Sequence, residues 1–218
     1  MNLKLATRWS LAIASELSPL CHRLEVAGSI RRHRTEPGDI DIVCIPKRQE
    51  TKDLLGSTVS TTNAVLEWSR SYAEKCKGQL TGPGDQVPRI ISGGEREGKQ
   101  LILQLRKCQL DLWFATEANF ATRLLMRTGS KEHNIWLATR LTERGMHWFP
   151  YEGITTLEAL RAANINPSLP GAADQAVSAN LIMPAGTESD LYGYAGIDLI
   201  APENRELPWL AKHIDSGL

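Results

Sequence analysis

The stretch Gly38-Asp-Ile-Asp-Ile-Val43 combines two carboxylates with a short apolar run. Successive side chains of a β-strand point to opposite faces, so Asp39 and Asp41 are expected on one face and the two isoleucines on the other. Two neighbouring carboxylates repel each other unless a cation lies between them. Because both acids offer only oxygen ligands, the pair predicts a hard cation such as Mg2+.

A Gly28-Ser29 turn precedes these acids and has the complementary chemistry. Glycine lets a ligand approach the backbone closely, serine offers a hydroxyl, and N–H groups at such a turn face an anion. Arg31, Arg32 and Arg34 follow within five residues of Ser29. Carboxylates for metal, with N–H and guanidinium groups for phosphate, indicate a nucleoside triphosphate site. The alternative interpretation is an exposed turn with solvated acids.

A third acid lies in the later segment Cys108-Gln-Leu-Asp-Leu-Trp-Phe114. Strand alternation places Gln109, Asp111 and Trp113 on one face, opposite the leucines. A single acid in so apolar a strand is costly without a partner. If this strand lies beside the strand of the first two acids, three carboxylates converge. Two metal ions about 4 Å apart, bridged by such acids, can activate an attacking hydroxyl and stabilise a pyrophosphate leaving group. A surface acid on an edge strand is the alternative.

The 218-residue chain has the composition of an ordinary globular protein, with 42% hydrophobic and 23% charged residues. It has no apolar run of the ~18 residues needed to cross a bilayer, so no membrane association is expected. Polar residues interrupt the N-terminal apolar stretch, which argues against a secretory signal. The four cysteines form no Cys-x-x-Cys pair. We therefore expect reduced thiols, no structural zinc and a cytoplasmic protein, or one inside the host cell if it is viral.

The formal net charge of zero conceals a difference between the two halves of the chain. Residues 1–115 contain 17 Lys and Arg against 13 Asp and Glu, a balance of +4, whereas residues 116–218 contain 8 against 12, a balance of −4. A strongly basic composition would by itself have predicted nucleic-acid binding, and this chain does not have such a composition. Any duplex contact is expected from a local patch in the first half, with weak and salt-sensitive binding.

Hydrophobic periodicity and turn residues predict a chain that mixes helices and strands. Helices are expected at residues 3–18, 63–77, 117–127, from about 131 to 144 with Gly145 as the C-cap, and at 189–197. Strands are expected at residues 23–27, 40–45, 88–92, 99–105, 108–114, 146–149 and 153–156. Residues 46–62 and 162–186 are expected to be loops, and residues 202–206 to precede a loose tail.

Together these segments resemble the family X DNA polymerases, the polymerase beta family. The motifs that carry the resemblance are Gly28-Ser-Ile-Arg-Arg32, Gly38-Asp-Ile-Asp41, Gln109-Leu-Asp111, Arg127-Thr-Gly-Ser130 with Asn134, Arg144-Gly145 and Ala201-Pro-Glu-Asn-Arg-Glu206. They run from about residue 24 to residue 206. We expect no counterpart of the lyase domain and the helix-hairpin-helix region of larger members, a layout similar to that of the very small viral members.

The resemblance implies an α+β fold. Residues 1–115 would be a nucleotidyltransferase palm, a mixed β-sheet with flanking helices. Residues 116–218 would be a smaller α/β C-terminal subdomain of thumb type that closes on the nucleotide.

The resemblance also implies site residues and cofactors. Asp39, Asp41 and Asp111 would be the catalytic acids and would bind two Mg2+ ions, for which Mn2+ can substitute. The nucleotide-binding residues would be Gly28, Ser29 and Arg32 at the phosphates, Gly129 and Ser130 at the sugar and base, and Asn134 at the minor-groove edge of the incoming base.

The implied function is a monomeric DNA-directed DNA polymerase that adds dNMP to a primer 3′-hydroxyl on gapped or nicked DNA, in gap filling and DNA repair. A template-independent terminal transferase, or a nucleotidyltransferase with an RNA, protein or small-molecule acceptor, is the enzyme alternative. A DNA-end binding module is the non-enzyme alternative.

Several positions depart from the family's pattern. Met126 and Arg127 replace the aromatic pair before Thr-Gly-Ser, which bears on the choice between deoxyribose and ribose. Gln109 replaces an arginine that supports the third acid. The helix positions that read the template are Ile135 and Ala138, and neither is basic. A further departure is Lys131, which stands where the family often has an acid.

Overall fold

The computed structural model describes residues 1–52, 55, 58–77, 89–92, 99–105 and 108–206. The chain divides into two compact units, Met1–Ala115 and Thr116–Leu218. None of the helices in these described ranges has both the length and the apolar character needed to span a bilayer.

The first unit combines strands and helices in one mixed structure. Its described strands are β1 (Cys21–Val26), β2 (Ile40–Pro46), β3 (Arg48–Lys52), β4 (Thr58–Asn63), β5 (Arg89–Ser92), β6 (Gln100–Gln104) and β7 (Gln109–Phe114). Its described helices are α1 (Leu3–Leu17), the single-turn α2 (Gly28–Arg31) and α3 (Ala64–Lys77).

Five of these strands form one sheet in the order β1-β2-β7-β6-β5. The pairing of β2 with β7 is parallel, whereas β1–β2, β6–β7 and β5–β6 are antiparallel. Ile40 and Ile42 of β2 and Leu110 and Leu112 of β7 are buried, so the apolar faces of the two central strands make the core. Trp9 and Ile13 of the amphipathic helix α1 pack on that core. The mixed sheet with flanking helices confirms the predicted fold class.

A second sheet in this unit was not predicted, because residues 46–62 were expected to be a loop. β3 and β4 form an antiparallel hairpin whose register runs from Arg48–Asn63 to Lys52–Thr58. Apart from Val59 these strands consist of polar residues, so no alternation of apolar residues marks them. Backbone pairing and a hydrogen bond from the Thr58 hydroxyl to a Glu50 carboxylate oxygen, 3.1 Å long, hold the hairpin together instead. The connection between β5 and β6 lies outside the described residues.

The second unit is mostly helical with one small sheet. Its described helices are α4 (Phe120–Thr128), α5 (Lys131–Glu143), α6 (Leu157–Ala162), α7 (Ala172–Ser178) and α8 (Glu188–Ala195). Its strands β8 (Met146–Phe149) and β9 (Gly153–Thr156) pair antiparallel, as the sequence predicted. The backbone of Gly145 has φ 72° and ends α5.

The core of this unit lies between α4, α5, α8 and the small sheet. Leu125, Leu137, Leu141 and Leu191 are fully buried there. A helix in the segment 162–186 was not expected, because its Ala, Asn, Pro and Gly content is typical of a loop. In α7 only the small residues Ala172 and Ala176 face inward, and this narrow stripe packs in a separate cluster with Phe149 and Leu160.

Candidate active site

Asp41 and Asp111 are neighbours on the two central strands of the first unit. In the parallel register of β2 and β7, Asp41 is the partner of Asp111. Register partners on adjacent strands project from the same face, so the two carboxylates lie side by side. Asp111 is 9% exposed and Asp41 is half-buried. The strand that carries Asp111 therefore lies beside the strand that carries Asp41 and directly follows Asp39.

Polar side chains on the same face of β7 hold both carboxylates. The Gln109 amide donates from Nε2 to Asp111 Oδ1 at 2.7 Å, and the Trp113 indole donates from Nε1 to Asp41 Oδ1 at 3.2 Å. Gln109 thus supports the third acid, Asp111, at the position where the resemblance implied an arginine. Neither donor was predicted to have this role, although their alternation with Asp111 already placed them on its face.

Asp39 comes just before β2 and is half-buried. Burial raises the pKa of the Cys108 thiol, and the negative charge of Asp39 raises it further. The negative charge of the Asp39 carboxylate therefore acts on Cys108, the residue directly before β7. Its alignment with Asp41 on one face remains a prediction from strand alternation.

The donor chemistry of these acids suits a divalent cation. Carboxylate oxygens are the ligands of hard cations such as Mg2+ and Mn2+. Across the described ranges, no group of three or more His, Cys, Asp or Glu side chains lies close enough together to hold a metal ion. The structure brings together Asp41 and Asp111, each accepting a side-chain N–H, and it does not gather all three acids into one cluster. Asp41 and Asp111 fit the predicted cation by chemistry and by register, and Asp39 fits it by chemistry alone.

The Gly28-Ser29 turn lies directly against Asp41. A Cβ added to Gly28 would be 2.1 Å from Asp41 Oδ2, and the Gly28 backbone has φ +63°. Only glycine therefore lets this backbone approach the carboxylate so closely. Arg32 ends the single turn of helix that follows, with its N–H directed at the Gly28 carbonyl at 3.3 Å.

The side-chain hydroxyl of Ser29 belongs to the same turn. Ser29 Oγ is buried and has no hydrogen-bond partner among the described residues. A buried hydroxyl without a partner costs on the order of 1–3 kcal/mol. Such a group, one residue from the backbone that contacts Asp41, fits a polar ligand atom such as a phosphate oxygen.

In the second unit, the Thr128-Gly129-Ser130 segment connects α4 and α5. The peptide bond between Gly129 and Ser130 is cis, and Gly129 has φ 70°. Ser130 caps α5, because its hydroxyl accepts the His133 backbone N–H at 3.2 Å. Its own N–H donates to the Arg205 carbonyl at 3.4 Å. The segment is therefore anchored at both ends.

Asn134 follows one turn into α5 and is half-buried. Its Nδ2 donates to the Met126 carbonyl at 2.9 Å, and its Oδ1 is 3.1 Å from Nδ1 of the buried His133. His133 Nε2 is in turn 2.6 Å from the hydroxyl of buried Tyr192 on α8. The sequence did not indicate this set of contacts, because His133 and Tyr192 alone are 59 positions apart.

Other predicted positions in this unit lie on its surface or against other side chains. The Arg127 guanidinium donates to the Tyr151 hydroxyl and stands 5.2 Å from that ring's centroid. Ile135 is 58% exposed on α5, and Lys131 is exposed one turn earlier. The surface of α5 at these positions is therefore partly apolar.

Comparison with known proteins supports this architecture. Residues 123–206 match the family model for the DNA polymerase beta thumb. By structure, the chain is similar to Leishmania infantum polymerase beta in a ternary gap complex, with TM-score 0.63 and 16% identity over 95% of this chain and 71% of that chain. The fold is that of a family X polymerase. A ternary P/T complex of the same Leishmania protein gives TM-score 0.60 and 15% identity over 95% of this chain and 77% of that chain. No curated protein matches the chain by sequence.

The chain thus has a family X polymerase-like fold. The match to the polymerase beta thumb covers residues 123–206, which include the Thr128-Gly129-Ser130 segment, Asn134 and Arg205. The assignment of Asp39, Asp41 and Asp111 as catalytic acids stays a prediction that rests on their chemistry and on the register of β2 and β7.

Proposed function

We propose that this protein is a DNA-directed DNA polymerase of family X type, which adds dNMP to a primer 3′-hydroxyl in gapped or nicked DNA. The observation that carries the proposal is the parallel register of Asp41 with Asp111. Two carboxylates beside each other at the centre of a sheet are unfavourable for stability alone, and they are oriented by N–H donors of Trp113 and Gln109. A site for divalent cations explains this arrangement.

Asp39, Asp41 and Asp111 would hold the metal ions, Mg2+ or Mn2+. When bound, these ions supply activation of the attacking hydroxyl and neutralisation of the charge that develops on pyrophosphate. The oxygen of the 3′-hydroxyl bonds to the α-phosphorus while the bond from that phosphorus to the leaving pyrophosphate oxygen breaks. Asp111 would accept the hydroxyl proton.

The remaining residues bind and orient the nucleotide. In the first unit, the unpaired Ser29 hydroxyl and the Arg32 guanidinium would hold the β- and γ-phosphates. Because Gly28 has no side chain, the phosphates could approach the backbone closely at this turn. In the second unit, Gly129 and Ser130 would contact the sugar and base. Asn134 would donate to the minor-groove edge of the base.

A second candidate function is extension without a template or transfer to another acceptor, such as RNA, a protein or a small molecule. It is favoured by the surface of α5, where Ile135 is 58% exposed and no cation stands at Ala138. A net charge of zero points the same way, because binding of a DNA duplex depends on cationic contacts with phosphate. A DNA-end binding module without catalysis is the non-enzyme candidate.

Primer extension separates these candidates. Labelled gapped, blunt-ended and single-stranded DNA are incubated with the protein, each dNTP or NTP separately, and Mg2+ or Mn2+. Incorporation that follows the template base establishes the gap-filling polymerase. Incorporation that ignores the template establishes a terminal transferase. DNA binding without incorporation, under all these conditions, refutes the enzyme proposal for DNA acceptors.

A further inference from the structure

His133 and Tyr192 form a buried polar pair in the interior of the second unit. Both side chains are fully buried, and the Tyr192 hydroxyl lies 2.6 Å from His133 Nε2. Core positions are usually filled by apolar residues, because a buried polar group costs free energy unless it is paired. Two polar side chains that satisfy each other here need a reason beyond packing.

The contacts around Asn134 determine where each proton lies. The Met126 carbonyl can only accept, so the Asn134 amide nitrogen must face it, at 2.9 Å. The Asn134 carbonyl oxygen then faces His133 Nδ1 at 3.1 Å and can only accept. His133 therefore carries its proton on Nδ1, and its Nε2 accepts the Tyr192 O–H. Tyr192, His133 and Asn134 form a directed chain of hydrogen bonds that ends at Met126.

This chain fixes which atoms Asn134 can offer to a ligand. One amide N–H donates to the Met126 carbonyl, and the other acceptor recorded for this nitrogen among the described residues is the Met126 thioether sulfur, 3.4 Å away and weak. That second N–H is the donor that a ligand can take. The minor-groove edges of adenine and thymine present acceptors, N3 and O2, in equivalent places.

We propose that His133 and Tyr192 are positioning residues that hold the Asn134 amide in one orientation, so that it presents an N–H to the base of the incoming nucleotide. The inference rests on the proposed function for its ligand, a nucleoside triphosphate. The hydrogen-bond chain itself exists in the protein without that ligand. Rotation of the amide by 180° would present a carbonyl oxygen to the base acceptor and would repel it.

The main test is Tyr192→Phe, which removes one hydroxyl and retains the ring. Without the O–H donor, His133 Nε2 can take the proton, and Nδ1 then no longer donates to Asn134. We expect the KM for nucleotide to rise about 2- to 10-fold, the cost of one misplaced hydrogen bond, with kcat changed by less than about twofold. Tyr194→Phe is the matched control, because Tyr194 lies on the same helix as Tyr192 but its hydroxyl donates to the Pro184 carbonyl, and this variant should leave KM unchanged.

A double-mutant cycle separates positioning from a general loss of packing. Asn134→Ala should raise KM as Tyr192→Phe does, and combining the two should add nothing further, because both act through the same amide. Additive effects would overturn the proposal. Should His133→Phe alone fail to fold, the paired variant His133→Phe with Tyr192→Phe keeps the volume and removes both polar groups. It should fold and raise KM equally, and an unchanged KM would overturn the proposal.

A measurement without nucleotide keeps this inference distinct from the proposed function. Nitrogen NMR of the full chain should show His133 protonated on Nδ1, and Tyr192→Phe should shift the side-chain amide resonances of Asn134. If these results hold and the wild type shows no transfer to DNA, the hydrogen-bond chain stands and the polymerase proposal fails. If His133 is protonated on Nε2 in the wild type, the inference fails whatever the activity.

Discussion

Glu188 and Arg205 form an ion pair inside the second unit. Their side chains are 8% and 0% exposed, and Arg205 Nη1 is 2.8 Å from Glu188 Oε1. Arg205 also donates from Nε to the Ile200 carbonyl at 2.9 Å, and its guanidinium lies 5.5 Å from the Tyr192 ring centroid. Glu188→Ala would leave this guanidinium buried without its counter-charge.

Removal of one partner from a buried pair costs about 3–5 kcal/mol, most of it from the charge left without compensation. We therefore expect Glu188→Ala to lower the free energy of unfolding of the second unit by that amount. The matched control is Glu143→Ala, which breaks the exposed pair of Arg140 and Glu143, 3.5 Å apart with side chains 30% and 57% exposed. An exposed helical pair of this kind contributes only about 0.3–0.5 kcal/mol.

The assay is urea unfolding at equilibrium, together with amide hydrogen exchange of α5 and α8 to report on this unit. A third variant tests the reason for the loss. Glu188→Leu combined with Arg205→Met removes both charges, and it should regain most of the lost stability. If Glu188→Ala costs no more than Glu143→Ala, or if the double variant is as unstable as Glu188→Ala, the reasoning about an uncompensated charge is refuted.

Two further changes test other parts of the structure. Gly28→Ala should lower turnover on the order of 100-fold, because the new Cβ would lie 2.1 Å from Asp41 Oδ2 and displace that carboxylate. The control is Gly38→Ala, where a Cβ meets nothing within 4 Å, and this variant should keep turnover near the wild-type rate. Equal losses of turnover in the two glycine variants, measured in single-turnover assays, would contradict this explanation. Hydrogen bonds from the backbone and hydroxyl of Thr187 lower the pKa of Asp190, so Asp190 stabilises α8 above about pH 4 and loses that effect as the pH falls through its lowered pKa. Unfolding curves of Asp190→Asn and wild type should differ at pH 6 and converge at acidic pH, and a constant difference would exclude this cause.

The central sheet could be predicted because its sequence is locally unambiguous. β2 and β7 alternate acids or polar residues with leucine and isoleucine, and that pattern gave both the strands and the faces. Their adjacency could be stated only as a condition, since pairing between residues as distant in sequence as Asp41 and Asp111 is decided by packing of the whole unit. The structure met that condition with Asp41 beside Asp111.

The features that sequence reasoning missed depend on contacts between distant residues. Nothing local distinguishes the buried Arg205 from an exposed arginine, because its burial is stabilised by contacts with Glu188, the Ile200 carbonyl and the Tyr192 ring. His133 and Tyr192 likewise read as scattered residues until the fold brings them together. The β3–β4 hairpin was not predicted for a different reason. Backbone pairing stabilises it, and mostly polar strands lack the hydrophobic pattern that would indicate a strand.

The central claim is that Asp41 and Asp111 carry out nucleotidyl transfer together. The most direct measurement is the single-turnover rate of dNMP incorporation into a gapped primer by wild type, Asp41→Ala and Asp111→Ala, with folding checked by circular dichroism. Asp174→Ala, which removes an exposed acid of α7, is the control. Loss of several kcal/mol of transition-state stabilisation predicts a decrease on the order of 1,000-fold in both site variants, with the fold and the control unchanged. Incorporation within tenfold of wild type in either folded variant would contradict the account.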